Sequence, residues 1–100
     1  MNLEQKMVLR FHQTFGILVN KKPTIIPDEI VKLREDLILE ELDELVVNSL
    51  FNPDLTDIAD ALGDLLYVVY GTAVSFGIDM EPIFKEIHRD RCKEHGRCCW

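Results

Sequence analysis

The chain has 100 residues, 47% of them hydrophobic and 29% charged, which suits one small domain with a core. Eighteen acidic against eleven basic residues give a net charge of −7, which argues against a nucleic-acid polymer or an anionic membrane as partner. No apolar run approaches the ~18 residues of a membrane span, and the first residues lack the pattern of a signal peptide. Three cysteines confined to the last nine residues do not form a disulfide framework, so we expect a cytoplasmic protein.

Apolar residues recur at helical spacing along the chain, and no stretch alternates as a strand does. The pattern and its glycine, proline and asparagine breaks predict four helices, over about residues 2–15, 28–50, 53–76 and 79–93. Asp28 is the expected N-cap of the second helix. We therefore predict an all-α fold, with a single helical domain over residues 1–93 and an irregular tail over residues 94–100.

Three glutamates on the second predicted helix share a stripe with apolar residues. At about 100° per residue, Glu44 lies about 40° and Glu41 about 100° from Glu40, with Leu37 in the same arc. Asp43 falls near 300° by the same arithmetic, on the solvent stripe. A run of acids is more often a solvated face, but this distribution favours carboxylates that point toward a neighbouring element.

The third predicted helix repeats the pattern. With Asp60 at zero, Asp64 lies near 40° and Asp57 near 60°, while most of the remaining circumference is apolar. Carboxylates on such a helix are costly unless they are paired or bound to metal. Asp57 is equally well explained as a first-turn acid that favours the helix N-terminus.

The two acidic stripes are predicted to face each other. An antiparallel hairpin turning near residue 52 sets residue i opposite about residue 104 − i, which pairs Glu40 with Asp64 and Glu44 with Asp60. Facing carboxylates repel unless a divalent cation lies between them. A ligand set made only of carboxylates favours Mg²⁺, Mn²⁺ or Ca²⁺ over zinc.

Two glycines lie inside the third predicted helix, Gly63 and Gly71, and each costs about 1 kcal/mol relative to alanine. Gly71 lies near the acidic stripe. It indicates either close helix packing or room for a substrate above the metal.

At these residues the chain resembles the MazG-like all-α nucleoside triphosphate pyrophosphohydrolases, in particular the branch similar to phosphoribosyl-ATP pyrophosphohydrolases. The resemblance is carried by FHQTFG (11–16), LREDLILEELDEL (33–45), DIADALGDLLYVVYGTAVSFGID (57–79) and IFKEIHRDR (83–91). It implies a four-helix bundle completed by homo-oligomerisation, as a homodimer or homotetramer. It also implies Mg²⁺-dependent cleavage between the α and β phosphates of a nucleotide, giving the monophosphate and pyrophosphate.

The metal ligands implied by the resemblance are Glu40, Glu41, Glu44 and Asp64. The family's second motif has a further acid three residues before Asp64, where this chain has Ala61, so Asp60 is the expected substitute. Glu41, offset from the line of Glu40 and Glu44, is the candidate for the catalytic base that deprotonates a water.

The expected substrate contacts are cations for the phosphates, and an aromatic side chain for the base: Lys21, Arg89, Arg91 and Phe15. Each of these also fits an ordinary surface or core position. The fourth-helix segment departs from the family pattern at Asp90 and Arg91.

Two alternatives remain open. The tail residues His88, Cys92, His95 and Cys98 have a spacing compatible with structural zinc, although an irregular tail with reactive thiols fits them as well. The chain as a whole is also compatible with a non-catalytic acidic helical module that binds another protein.

Overall fold

The fold is all-α, as predicted. A computed structural model describes residues 1–96, and those residues contain four helices and no strand. The helices are α1 (Leu3–Phe15), α2 (Asp28–Leu50), α3 (Leu55–Phe76) and α4 (Met80–Glu94). Their ends differ from the predicted ones by two residues at most.

Local hydrogen bonds fix most of the helix ends. The side chains of Asn2, Asp54 and Asp79 accept hydrogen bonds from backbone N–H groups in the first turns of α1, α3 and α4. Helices α1 and α3 end at Gly16 (φ 70°) and Gly77 (φ 74°), in the left-handed conformation that glycine adopts without strain.

The start of α2 corrects one detail of the sequence prediction. Asp28 is the first residue of the helix, and Pro27 occupies the cap position without a side-chain hydrogen bond. The Pro27 carbonyl accepts from the N–H groups of Ile30 and Val31, so the backbone alone begins the helix.

Helix α3 is central and packs against both α1 and α2. Helices α2 and α3 form an antiparallel hairpin in which residue i lies opposite about residue 104 − i, as predicted. Arg34 of α2 donates hydrogen bonds to Val68 and Thr72 of α3, which lie on either side of residue 70. The loop between α1 and α2 is tied to the end of α3, where Asn20 and Thr24 donate backbone hydrogen bonds to Val74 and Phe76.

A single copy of the chain leaves much apolar surface uncovered. Its accessible surface is 7539 Å², whereas a compact protein of this mass exposes about 5,800 Å². Its radius of gyration is 15.6 Å, against about 13 Å for a compact chain of the same length. Leu62, Leu66 and Val69 of α3 and Phe84 of α4 are among the exposed apolar side chains.

Helix α3 is also long and apolar enough, by length and composition alone, to cross a membrane, which the sequence reading did not anticipate. However, it packs between two other helices and carries Asp60 and Asp64, which are costly in a lipid core. One such helix is weak evidence for a membrane protein.

Candidate metal centre

Three carboxylates meet between α2 and α3. Glu41 and Glu44 of α2 and Asp64 of α3 each place one oxygen within 4.8 Å of the others. Glu41 is half-buried, and the other two side chains are exposed. Glu41 and Glu44 are three residues apart and therefore lie on one face of α2, while the antiparallel hairpin brings the middle of α3 against that face. Thus three of the five predicted ligands come together.

Glu41 supplies the test of whether a cation fits this site. Its Oε2 atom is buried and has no hydrogen-bond partner. A buried oxygen without a partner is costly, and more so when it carries negative charge. Since Mg²⁺ and Mn²⁺ prefer oxygen ligands, a divalent cation fits this donor set and would satisfy that atom.

The electrostatics of the cluster agree with this assignment. Burial raises the pKa of Glu41 above its ordinary value, and the negative charges of Asp64 and Glu44 raise the pKa further. The charged form of Glu41 is therefore disfavoured when no cation is present. A bound cation reverses the balance by compensating all three charges.

The other predicted ligands lie outside this group. Glu40 is exposed, and its charge contributes to the raised pKa of Glu41. Asp60 is exposed and is not part of the cluster. Ala61, where the family pattern has an acid, is buried at 1% exposure. The assignment of Glu40 and Asp60 as ligands therefore stays a prediction.

The clustered oxygens place Asp64 opposite both Glu41 and Glu44, and the predicted pairing of Glu40 with Asp64 and of Glu44 with Asp60 stays a prediction. Glu41 and Arg34 are seven residues apart, so their directions on α2 differ by only about 20°. Because Arg34 is buried against α3, the packed face of α2 is centred nearer to Glu41 than to Glu40.

An aromatic cluster lies between α1 and α3. The rings of Phe11 and Phe15 are 4.6 Å apart, and Phe11 meets Tyr67 edge to face at 5.7 Å. Tyr67 lies three residues after Asp64 and shares its side of α3. Phe15 is the predicted substrate contact among these rings, and that contact stays a prediction. Tyr67 was not among the candidates, although it lies three residues after Asp64.

The predicted phosphate-binding cations lie on other elements of the fold than the three carboxylates. Lys21 lies in the exposed loop between α1 and α2, and Arg89 and Arg91 are exposed on α4. Arg89 pairs with Glu86 of its own helix at 3.4 Å. Their predicted contact with phosphate is therefore not tested by a single copy of the chain.

The zinc alternative falls partly outside the described residues, because Cys98 lies beyond residue 96. Within residues 1–96, Cys92 is buried and its Sγ lies 3.7 Å from Nε2 of His88, while His95 is exposed. The carboxylate group is the one cluster of metal-binding side chains found in that part of the chain.

Gly71 has a structural explanation. A Cβ atom there would overlap the Arg34 guanidinium and lie 3.0 Å from Nε2 of His12. The missing side chain therefore makes room for Arg34, which decides between the two readings of Gly71 in favour of close packing.

Comparison with known proteins gives two matches. The sequence profile of the phosphoribosyl-ATP pyrophosphohydrolase family matches residues 8–91. An uncharacterised protein, L479 of Acanthamoeba polyphaga mimivirus, is 44% identical over 78 residues. That alignment covers 71% of this chain but only 30% of the viral protein. The matched range begins within α1, ends within α4 and includes α2, α3 and the three clustered carboxylates, and the chain belongs to the phosphoribosyl-ATP pyrophosphohydrolase family of all-α hydrolases.

Proposed function

We propose that the chain is a Mg²⁺-dependent nucleotide pyrophosphohydrolase, with Mn²⁺ as a possible substitute. Its substrate is a nucleoside triphosphate, a deoxynucleoside triphosphate or a related nucleotide, and its products are the monophosphate and pyrophosphate. The observation that carries the proposal is the unpartnered, buried Oε2 of Glu41 within a group of three carboxylates. Membership of a pyrophosphohydrolase family supports it.

In this proposal, Glu41, Glu44 and Asp64 hold the cation. When bound, the cation neutralises the phosphates and lowers the pKa of a coordinated water. In the same proposal Glu41 is also the proton acceptor, because a carboxylate beside the cation can take the proton of a coordinated water. The water oxygen bonds to the α phosphorus, the bond from that phosphorus to the bridging oxygen breaks, and pyrophosphate leaves.

The aromatic cluster of Phe11, Phe15 and Tyr67 supports a place for the base. These rings are exposed, Tyr67 lies three residues after Asp64 on α3, and aromatic faces stack on any nucleobase. In the same proposal, Lys21, Arg89 and Arg91 approach the phosphates. Those three cations would reduce the repulsion between a polyphosphate and a protein of charge −7.

A second copy of the chain is part of the proposal, as a homodimer or homotetramer. One copy exposes about 1,700 Å² more than a compact protein of its mass, which exceeds the ~800 Å² per partner of a standard interface. The exposed apolar side chains of α3 and α4 provide the kind of surface that obligate dimers bury. Light scattering at micromolar concentration tests this, and a stable monomer would contradict it.

The test of the activity is pyrophosphate release from a panel of nucleotides with and without Mg²⁺. We expect release that requires the metal and that Glu44→Gln abolishes, since this change removes one charged ligand at constant size. Asp43→Asn, one residue away on the solvent side of α2, should retain parental activity. Absence of release from every nucleotide would favour the alternative of a non-catalytic acidic module that binds another protein.

A further inference from the structure

Arg34 is a buried cation that the proposed reaction does not use. Its side chain is 5% exposed at the point where α1, α2 and α3 meet. None of the ion pairs within residues 1–96 gives it a carboxylate partner. Burial lowers the pKa of Arg34, as expected for a charged group removed from water. An arginine retained at such a cost calls for a function that an apolar residue of similar size would not provide.

The hydrogen bonds of Arg34 all cross from α2 to α3. Its Nη2 donates to the Val68 carbonyl at 3.0 Å, and its Nε donates to Oγ1 of Thr72 at 3.3 Å. The Thr72 hydroxyl in turn donates to the Val68 carbonyl at 2.9 Å. Two donors of the planar guanidinium thus bind groups on two successive turns of α3, which fixes the position of α2 along the axis of α3.

The sequence makes a specific space for this contact. Gly71 lies between Val68 and Thr72, and a side chain there would overlap the guanidinium. His12 closes the far side of the space: its ring is 2% exposed and its Nδ1 lies 3.2 Å from the Leu18 carbonyl, so Nδ1 carries the proton. Its Nε2 lies 3.0 Å from the position that a Cβ atom of residue 71 would take. Each neighbour of the guanidinium therefore restricts where it can lie.

These hydrogen bonds of Arg34 lie close to the three carboxylates along both helices. Arg34 lies two turns before Glu41 on the same side of α2, about 10 Å along the axis. Val68 lies one turn after Asp64 on α3. A shift of α2 by one residue relative to α3 would move Glu41 and Glu44 by about 1.5 Å and rotate them by about 100° away from Asp64.

We propose that Arg34 is a positioning residue for the metal centre: by holding α2 in register on α3, it keeps Glu41 and Glu44 opposite Asp64 at the spacing one cation requires. The inference rests on the proposed function, since it concerns the same three carboxylates. It goes beyond it by assigning a role in cation affinity to a residue that contacts neither the cation nor the nucleotide.

The test compares Arg34→Met with Lys32→Met in the full chain, using Mn²⁺ binding measured without nucleotide and the melting temperature measured without metal. Both variants remove one positive charge from α2, but Lys32 is exposed and pairs only with Asp36. We expect Arg34→Met to lose about 10-fold or more in Mn²⁺ affinity, as is typical when the support of a metal ligand is removed. Its melting temperature should stay near the parental value, because an apolar residue of similar size replaces a buried charge. Lys32→Met should bind Mn²⁺ as the parent does.

Equal losses of affinity in the two variants would mean that charge alone matters, which would overturn the proposal. Parental Mn²⁺ affinity in Arg34→Met would overturn it as well. If Arg34→Met does not fold, Gly71→Ala provides the same test, because it retains the arginine but displaces its guanidinium, and parental affinity there would refute the positioning role. A parent protein that binds no Mn²⁺ would instead refute the proposed metal centre, and this inference with it.

Discussion

Replacing Glu41 by glutamine should separate the metal response of the protein from its folding. The variant Glu41→Gln retains the size of the side chain and removes the charge that burial, Asp64 and Glu44 disfavour in the absence of metal. We expect the metal-free variant to be at least as stable as the metal-free parent, because one of three repelling charges is gone. It should bind a divalent cation poorly and release no pyrophosphate.

The size of the effect follows from linkage between binding and folding. A cation that binds only the folded state stabilises it by about 2.7 kcal/mol at 100 times its Kd. For a domain of this length, about 1 kcal/mol corresponds to roughly 4–8 °C in melting temperature. The parent should therefore melt about 10–20 °C higher with saturating Mg²⁺ or Mn²⁺ than with a chelator. The shift in Glu41→Gln should be a small fraction of this.

The assay is thermal unfolding followed by circular dichroism, with a metal titration for the parent, Glu41→Gln and the control Asp43→Asn. Asp43 is adjacent in sequence and exposed, so it tests whether any loss of negative charge from α2 has the same result. Asp43→Asn should give the parental shift. If it lost the metal response as Glu41→Gln does, the cation would be binding to a diffuse acidic surface, and the assignment of the three carboxylates would be wrong.

Three further predictions concern other parts of the fold. Burial lowers the pKa of His12, and the nearby charge of Arg34 lowers it further. The stability that His12 contributes should therefore be present above about pH 6.5 and lost as the pH falls through the lowered pKa. Between pH 8 and pH 5, the melting temperature of His12→Gln should fall less than that of the parent. Gly77→Ala should destabilise the chain by more than about 1 kcal/mol in urea unfolding, since its φ is +74° and its Cβ would collide with the Lys22 carbonyl. Leu66→Asp should shift the oligomer toward monomer in light scattering, because Leu66 is 58% exposed in a single copy. An unchanged mass would mean that Leu66 lies outside the interface.

The helices and their register were predictable because they depend on local signals. Glycine at positive φ ends α1 and α3, and Asp79 caps α4, which are signals that the sequence shows directly. The start of α3 was predicted at residue 53, but Asp54 is its cap and the helix begins two residues later, at Leu55. The short turn between α2 and α3 then leaves little freedom in how the hairpin pairs. Pairing residue i with about residue 104 − i therefore places Arg34 opposite residue 70, in agreement with its hydrogen bonds to Val68 and Thr72.

The detailed geometry of the centre was less predictable because it depends on which side of α2 is packed. The periodic pattern did not indicate which of Glu40, Glu41 and Glu44 would face α3. The rotation of α2 about its axis depends on Arg34, which lies two turns before Glu41. Arg34 is a charged residue, and charged residues are almost never fully buried without a partner, so the sequence offered no reason to place it in the core. The absence of a side chain at Gly71 provides space for the Arg34 guanidinium, but the two residues come together only in the folded protein.

This dependence of Gly71 on Arg34 leads to a prediction about the pair. Gly71→Ala in the parent should be destabilising, because the new Cβ displaces the guanidinium, whereas alanine is otherwise favoured over glycine inside a helix by about 0.5–1 kcal/mol. In the Arg34→Met background the guanidinium is absent, and a flexible methionine can move aside. The same Gly71→Ala change should then be neutral or stabilising. A double-mutant cycle in urea unfolding, without metal, measures the coupling directly, and we expect it to exceed about 1 kcal/mol. Additive effects would mean that Gly71 makes room for something other than Arg34, and the argument that the sequence reserves this space for the arginine would fail.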